Sequence, residues 1–95
     1  MIDISNVWHP LTTQTISAST TSAATSNAFK TQIQTVMVTT TAACFVTFDT
    51  TPTATTSHTY IAANTPYWFR VSEADKCAAI TGSGTATVYV TELSR

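Results

Sequence analysis

The sequence predicts a small all-β protein: an antiparallel β-sandwich, jelly-roll or immunoglobulin-like, with six or seven short strands. Thr and Ser make up a third of the 95 residues, and Thr is a β-branched residue typical of strands. Apolar and polar residues alternate with a period of two along much of the chain, and helical periodicity is scarce. Turn residues separate these segments about every ten residues, which is the spacing of sandwiches and barrels.

The strand patterns are weak at the start of the chain and strong after residue 33. Residues 14–21 and 28–32 are possible strands with few apolar side chains. A helix over residues 18–32 is the alternative, because Ala is frequent there, but the Ser and Thr of this segment lower its helix propensity. The clearer strands are predicted at 33–39, 42–48, 67–71, 76–81 and 85–93, and residues 58–62 are predicted to form a short edge strand. The strand at 42–48 is apolar on both faces and is therefore expected to be central in its sheet.

The links between these strands are predicted from turn-forming residues. Residues 40–41 are expected to turn between two successive strands. The polar loop after Asp49 contains Pro52, which cannot donate to a central ladder. The GSG sequence at residues 82–84 has the composition of a hairpin link and is predicted to join the last two strands in one hairpin.

The chain length permits a single domain. The first 13 residues show no clear strand pattern, so we divide the chain into an N-terminal arm, residues 1–13, and one β-sandwich domain, residues 14–95. The hydrophobic fraction of 43% is that of a globular protein and argues against a disordered, mucin-like stalk.

Charged residues are scarce: Asp, Glu, Lys and Arg reach only 9%, and the net charge is −1. Because no basic field exists to neutralise phosphates, we expect no nucleic-acid partner. No apolar run reaches the ~18 residues of a membrane span, so no membrane partner is expected. The N-terminus lacks the basic and apolar regions of a secretory signal, and we therefore expect folding in the reducing cytoplasm.

The two cysteines, Cys44 and Cys77, are open to two interpretations. They could form a disulfide between two strands, or they could be free thiols that act as small buried hydrophobes. No spacing typical of a zinc site surrounds either one. Because a reducing compartment is expected, the free-thiol interpretation is favoured.

No residue pattern typical of catalysis or of metal binding is present. His9, His58 and Asp49 lie in unrelated segments, without a nucleophile elbow or a paired-carboxylate spacing. The Thr-x-Thr triplets have no fixed period, so they do not predict a flat ice-binding ladder. We therefore expect no enzymatic activity, no metal and no cofactor.

The aromatic residues give the candidate partner contacts. In the predicted strand at residues 67–71, Trp68 and Arg70 point away from Phe69, so they are expected on the outer face if Phe69 lies in the core. Trp8 and His9 precede the first strand. Trp8 is a further candidate contact, or alternatively covers one open end of the sandwich. The candidate contacts are Trp8, His9, Trp68 and Arg70.

The scarcity of charge also favours association. Monomeric proteins usually carry about 25% charged residues and protect sheet edges with Lys or Glu. Neutral hydroxyl faces can hydrogen-bond across an interface without the desolvation cost of charges. The composition therefore suits a subunit of an assembly, which we expect to be a homo-oligomer, either a dimer or a trimer.

Residues 33–93 resemble the small structural proteins of tailed bacteriophages that are encoded among the head genes, the capsid decoration or cement type. The resemblance lies in an ACFVTF strand, a PTAT loop element, a YWFRV strand, a short acidic turn before Lys76 and a closing GSGT–VYVTE segment. It implies a compact antiparallel sandwich with no enzymatic activity and no cofactor. The chain departs from the group at Asp49 and Ala74, where Gly is expected, which predicts altered turns.

The resemblance predicts the function. The chain is expected to be a virion structural protein, assembled in the host cytoplasm and located on the capsid exterior. There it would bind across neighbouring major capsid subunits and stabilise the head. The alternatives are a carbohydrate-binding or adhesion module of a tail or fibre, in which Tyr67, Trp68 or Trp8 stacks on a sugar, and a head–tail connector or tail component.

Overall fold

The prediction of an all-β protein is confirmed. The structure, a computed structural model, describes residues 9–30, 35–72 and 74–94. Within these residues there are eight β-strands and no helix. They form two antiparallel four-stranded sheets, and buried side chains from both sheets share one hydrophobic core.

Each sheet mixes strands from the beginning and the end of the described chain. Sheet A has the order β1-β8-β3-β6, and sheet B has the order β2-β7-β4-β5. The strands are β1 (His9–Ala18), β2 (Ala23–Ala24), β3 (Thr35–Thr40), β4 (Cys44–Asp49), β5 (Thr59–Ile61), β6 (Tyr67–Arg70), β7 (Lys76–Ile80) and β8 (Ala86–Ser94).

The described residues contain eight strands where six or seven were predicted, and the differences lie in the weak N-terminal half. The helix over 18–32 is wrong for the part that is described, which contains the short strand β2. Residues 28–30 form no strand: the Phe29 N–H donates to the Asp75 carbonyl oxygen at 2.9 Å, and the next N–H, that of Lys30, donates to the Glu92 side chain at 2.8 Å. Residues 31–32 lie outside the described residues.

Strand β1 begins at His9, within the segment assigned to the N-terminal arm. Its register with β8 shifts between Pro10 and Thr13, so the regular ladder runs from Thr13 onward. Residues 1–8 lie outside the described residues, and the division of the chain at residue 13 stays a prediction.

The hairpin predicted at residues 82–84 is wrong. Strand β7 belongs to sheet B and β8 to sheet A, so the GSG link crosses from one sheet to the other. The Thr81 hydroxyl donates to the Gly84 carbonyl oxygen at 2.7 Å, and the Thr81 N–H donates to the Ser19 carbonyl oxygen at 2.8 Å. These bonds anchor the link to the end of β1. Its turn residues permit a sharp change of direction but do not specify which sheet the next strand joins.

The turn between β3 and β4 likewise connects the two sheets, because β3 lies in sheet A and β4 in sheet B. The hydroxyl of Thr40, which is buried, donates to the Ala42 carbonyl oxygen at 2.6 Å and closes the turn locally. Strand β4 is central in sheet B, as its apolar residues on both faces predicted, and β5 is an edge strand, as predicted.

The core follows the period-two pattern of the strands. Inward positions of β3 and β8 place Val36, Val38, Val88 and Val90 in full burial, opposite Val46 of β4. At about 25 cal/mol per Å² of buried apolar surface, each such side chain contributes roughly 1.5–3 kcal/mol. Other core members are Ile16, Ala18, Phe29, Cys44, Ile61, Val71, Cys77, Ala79 and Ala86.

Both cysteines are free and fully buried, which confirms the free-thiol interpretation. On the paired strands β4 and β7, Cys77 lies opposite Phe48, and Cys44 is four residues further along β4. Four residues of strand span roughly 13 Å. A disulfide needs Cα atoms within about 7 Å, so this register excludes a bridge.

The turn before β7 shows why Gly is expected at residue 74. Ala74 has a φ of 68°, in the left-handed region that Gly adopts without steric cost. The turn is closed by the Asp75 N–H, which donates to the Ser72 carbonyl oxygen at 3.1 Å, and by the Ser72 N–H, which donates to Asp75 Oδ2 at 2.9 Å. Residue 74 therefore has a backbone conformation that favours glycine, with an alanine in it.

Ala74→Gly is therefore expected to stabilise the protein by about 1 kcal/mol, because it relieves the steric cost of the left-handed conformation. Thermal unfolding followed by circular dichroism should show a melting temperature raised by about 4–8 °C. Ala63→Gly is the matched control, because Ala63 has no positive φ and should lose stability slightly. A lower melting temperature for Ala74→Gly would contradict the strain argument.

Candidate interaction surface

The outer face of sheet A carries aromatic and hydroxyl side chains in rows across the strands. In one row, Thr13, Thr91, Met37 and Trp68 lie directly opposite one another on β1, β8, β3 and β6. The parallel rows contain Thr15, Tyr89 and Thr39, and Leu93, Thr35 and Arg70. We call this set the Trp68 face. Thr91 and Leu93 are themselves buried, so the exposed part of these rows is provided mainly by Trp68, Tyr89, Arg70, Thr13 and Thr15.

The inner residues of β6 hold Trp68 in place. Phe69 packs against Phe48 with ring centroids 5.1 Å apart, and the Tyr67 hydroxyl accepts the Ala62 N–H at 3.1 Å. Because side chains alternate along a strand, this anchoring directs Trp68 and Arg70 outward. The exposed fraction of Trp68 is 57%, and the prediction that both residues lie on the outer face is confirmed.

The Trp68 face is nearly neutral. Arg70, at the β6 edge, is the single charged residue of its three rows. Near the centre, the hydroxyls of Thr13 and Thr91 hydrogen-bond each other at 2.9 Å. Tyr89 is 42% exposed, so aromatic surface is available in two adjacent rows. Neutral aromatic surface of this kind can be desolvated at low cost by a partner.

The three predicted contact residues that the structure describes do not all lie together. Trp68 and Arg70 share one face on the edge strand β6, whereas His9 begins β1 at the opposite edge of the same sheet, opposite Ser94. Trp8 lies outside the described residues. Sequence reasoning missed Met37 and Tyr89, whose outward phase could be read from β3 and β8 but whose proximity to Trp68 depends on the strand order.

The outer face of sheet B carries a smaller aromatic patch. The rings of Phe45 and Tyr60 meet edge to face with centroids 5.5 Å apart, and Ile80 lies opposite Phe45 on β7. Tyr60 is as exposed as Trp68, at 57%. This patch provides a natural comparison for the Trp68 face, because it is similar in exposure but lies on the opposite side of the sandwich.

An open cleft of about 430 Å³ lies beside Phe48, Phe69 and His58. Nδ1 of His58 accepts the Thr55 N–H at 2.9 Å, which places the proton of a neutral imidazole on Nε2. The ring thereby closes the loop before β5. Across the described residues, no three His, Cys, Asp or Glu side chains cluster closely enough to hold a metal ion.

Glu92 is a buried acidic side chain on β8 that the sequence analysis did not single out. It follows the inward phase of Val88 and Val90 and is only 3% exposed. Its Oε1 accepts the Lys30 N–H at 2.8 Å. This charge-assisted bond ties the segment after β2 to the last strand of sheet A. The role supported by this geometry is structural.

Comparisons of the chain with protein-family models, with curated proteins and with solved structures gave no match. No helix in the described part of the chain is long and apolar enough to cross a membrane. Fold and surface together define a two-sheet β protein with a neutral, aromatic outer face on one sheet.

Proposed function

We propose that the chain is a virion structural protein of a tailed bacteriophage, a cement or decoration protein that binds across neighbouring major capsid subunits on the capsid exterior. The observation that carries this proposal is the Trp68 face. It is composed of the residue types that are enriched at protein interfaces, Trp, Tyr, Met and Arg, and Lys and Glu are missing from its rows.

The geometry of the Trp68 face suits a flat partner such as a capsid shell. Side chains standing on a four-stranded sheet form a broad surface, in contrast to a groove that would enclose a peptide. Trp68 and Tyr89 are 57% and 42% exposed, and an aromatic side chain has only two rotatable side-chain bonds, so ordering these residues on binding costs little side-chain entropy. Such rigid aromatic residues are the usual hot spots of interfaces.

We also infer that the sandwich is a jelly roll and not immunoglobulin-like. In a jelly roll, the chain forms one long antiparallel hairpin that is wrapped into two sheets. The strand pairs of such a hairpin are all present here: β1–β8, β2–β7, β3–β6 and β4–β5. Wrapping that hairpin adds the pairs β3–β8 and β4–β7 and divides it into two sheets. An immunoglobulin-like sandwich pairs successive strands several times, whereas β4–β5 is the only successive pair here among the described strands.

Jelly rolls occur in viral capsid domains and also in lectins, so the architecture is compatible with two functions. The exposed Trp68 ring also supports the second candidate, a carbohydrate-binding module of a tail or fibre, in which the ring stacks on a sugar. Binding on a glycan array, with quenching of Trp fluorescence that Trp68→Ala abolishes, would favour this second function over capsid binding.

The cement function is tested by adding the purified protein to heads that lack it, taken from the phage whose genome encodes the chain. Occupancy should reach hundreds of copies per head. It should change less than about twofold between ~50 and ~200 mM salt, because few charges are screened. A tenfold loss of occupancy over that range, or a dozen copies or fewer per particle, would contradict it.

A further inference from the structure

The described strands leave four sheet edges, and one differs from the rest. Strands β2 and β5 span two and three residues, and β6 spans four residues and ends on Arg70. Short edge strands and edge charges are the usual protections against edge-to-edge pairing. Strand β1 is longer, at ten residues. Pro10 and the register shift before Thr13 protect its start, but the regular part from Thr13 to Ala18 has no proline, bulge or charged residue.

The hydrogen bonds between β3 and β8 determine which residues of β1 direct their backbone N–H and C=O groups away from β8. The Thr41 N–H donates to the Thr87 carbonyl oxygen at 3.1 Å, so the polar groups of Thr87 point toward β3. Because these directions alternate, Val88 and Val90 point toward β1 and pair with Ile16 and Gln14. The residues between them, Thr13, Thr15 and Ser17, therefore direct their N–H and C=O groups away from β8.

This edge is self-complementary in chemistry. Thr13, Thr15 and Ser17 are exposed, and their side chains are small and neutral. In a two-fold pair a charged residue near the axis would meet its own copy and repel it, and β1 carries none there. The sequence is free of Asp, Glu, Lys and Arg from residue 4 to residue 29.

We propose that β1 pairs with β1 of a second copy of this chain, antiparallel and about a two-fold axis, with Thr15 opposite Thr15. In this register Thr13 lies opposite Ser17 of the other copy, and all three residues exchange backbone hydrogen bonds. The pairing does not depend on the proposed capsid function, because it uses an edge of sheet A and not the Trp68 face.

The pairing has a geometric consequence for that face. Residues opposite each other in an antiparallel pair point to the same side of the sheet. The dimer is therefore one continuous eight-stranded sheet with both Trp68 faces on one side. Two copies would then present a doubled neutral surface to a single partner.

Cysteine cross-linking tests the proposed register. Hydrogen-bonded antiparallel residues have Cα atoms about 5.5 Å apart, within disulfide range. Thr15→Cys should therefore form a disulfide-linked dimer under mild oxidation. Ser17→Cys is the matched control, because the two copies of residue 17 would lie roughly 13 Å apart. The native Cys44 and Cys77 are fully buried and do not compete.

We expect at least tenfold more cross-linked dimer for Thr15→Cys than for Ser17→Cys on non-reducing gels. The double variant Thr13→Cys/Ser17→Cys should cross-link between its two different positions. Sedimentation equilibrium of the unmodified chain should show a concentration-dependent dimer that Thr15→Pro abolishes and Thr15→Val retains. Proline removes the outward N–H without touching the β8 ladder.

Equal cross-linking of the two single variants would overturn the proposal. The proposal would also be overturned if the unmodified chain stayed monomeric at millimolar concentration. The same holds if Thr15→Cys cross-linked to a capsid protein instead of to a second copy of the chain. A monomer that still binds heads would remove the β1 dimer and leave the proposed capsid function intact. A dimer that fails to bind heads would contradict the proposed capsid function and leave the β1 dimer intact.

Discussion

Trp68→Ala is expected to weaken binding to phage heads about 30-fold or more, while the melting temperature of the free protein changes by only a few degrees. Truncation of a central Trp at an interface typically costs 2 kcal/mol or more, which corresponds to this factor. The fold should tolerate the change because Trp68 is 57% exposed and β6 is held by its inward side chains, Tyr67 and Phe69.

Tyr60→Ala is the matched control for this prediction. Tyr60 has the same exposed fraction as Trp68 but lies on the outer face of sheet B. Its removal should change head binding by less than about twofold, because a contact that stays in water contributes little. Occupancy measured on heads at several protein concentrations gives both affinities.

Two results would contradict the assignment of the Trp68 face. An equal loss of binding for Tyr60→Ala would move the contact to sheet B or spread it over the whole surface. A fall of more than about 10 °C in the melting temperature for Trp68→Ala would exceed the ~1 kcal/mol expected of an exposed site and assign the ring to the fold.

The free energy of unfolding is expected to fall steeply between about pH 9 and pH 12 because of Cys77. Desolvation by burial, with a smaller contribution from the charge of Cys44, raises the pKa of the Cys77 thiol to about 12. Unfolding exposes the thiol, which then ionises near its ordinary pKa of 9.0. In this interval the folded state holds a proton that the unfolded state has lost, so stability declines as pH rises.

The effect of Cys77 can be large. At 1.36 kcal/mol per pKa unit, the interval corresponds to at most about 4 kcal/mol, a substantial part of the stability of a small domain. Below about pH 9 the thiol is protonated in both states, and the contribution is fully present. Urea unfolding at several pH values measures the slope.

Cys77→Ala separates this slope from the titration of other groups, which both proteins share. The variant should lose some stability at neutral pH, because it leaves a small buried void, but its stability should decline less between pH 9 and 12. Cys44→Ala is the second comparison: burial also raises the pKa of Cys44, opposed by a hydrogen bond with Thr40. Parallel pH curves for the unmodified chain and Cys77→Ala would refute the assignment.

Local pattern was sufficient for the strands after residue 33 and for their faces. The alternation in β6 predicted that Trp68 and Arg70 point outward, and the structure confirms it. The segment at 58–62 was also predicted to be a short edge strand, and β5 is an edge strand. These properties depend on residues one and two positions apart, which the sequence displays directly.

Local pattern failed where strands distant in the chain had to be paired. The GSG link has the composition of a hairpin, yet it joins β7 in sheet B to β8 in sheet A. Met37 and Tyr89 have the outward phase of many exposed strand residues. Only the order β1-β8-β3-β6 places Met37 beside Trp68, and Tyr89 in the adjacent row of the same face, two strands away.

The amino-acid pattern alone was therefore sufficient to predict an all-β chain, the outward direction of Trp68 and Arg70, and a surface rich in Thr and Ser instead of charged residues. The tertiary structure decided which strands share a sheet, that Cys44 and Cys77 are too far apart to bridge, and that the uncharged β1 lies at an edge. These two sets of properties depend on residues at different separations along the chain. A period of two is a property of neighbouring residues, whereas strand pairing is chosen by burying apolar faces contributed from the whole chain.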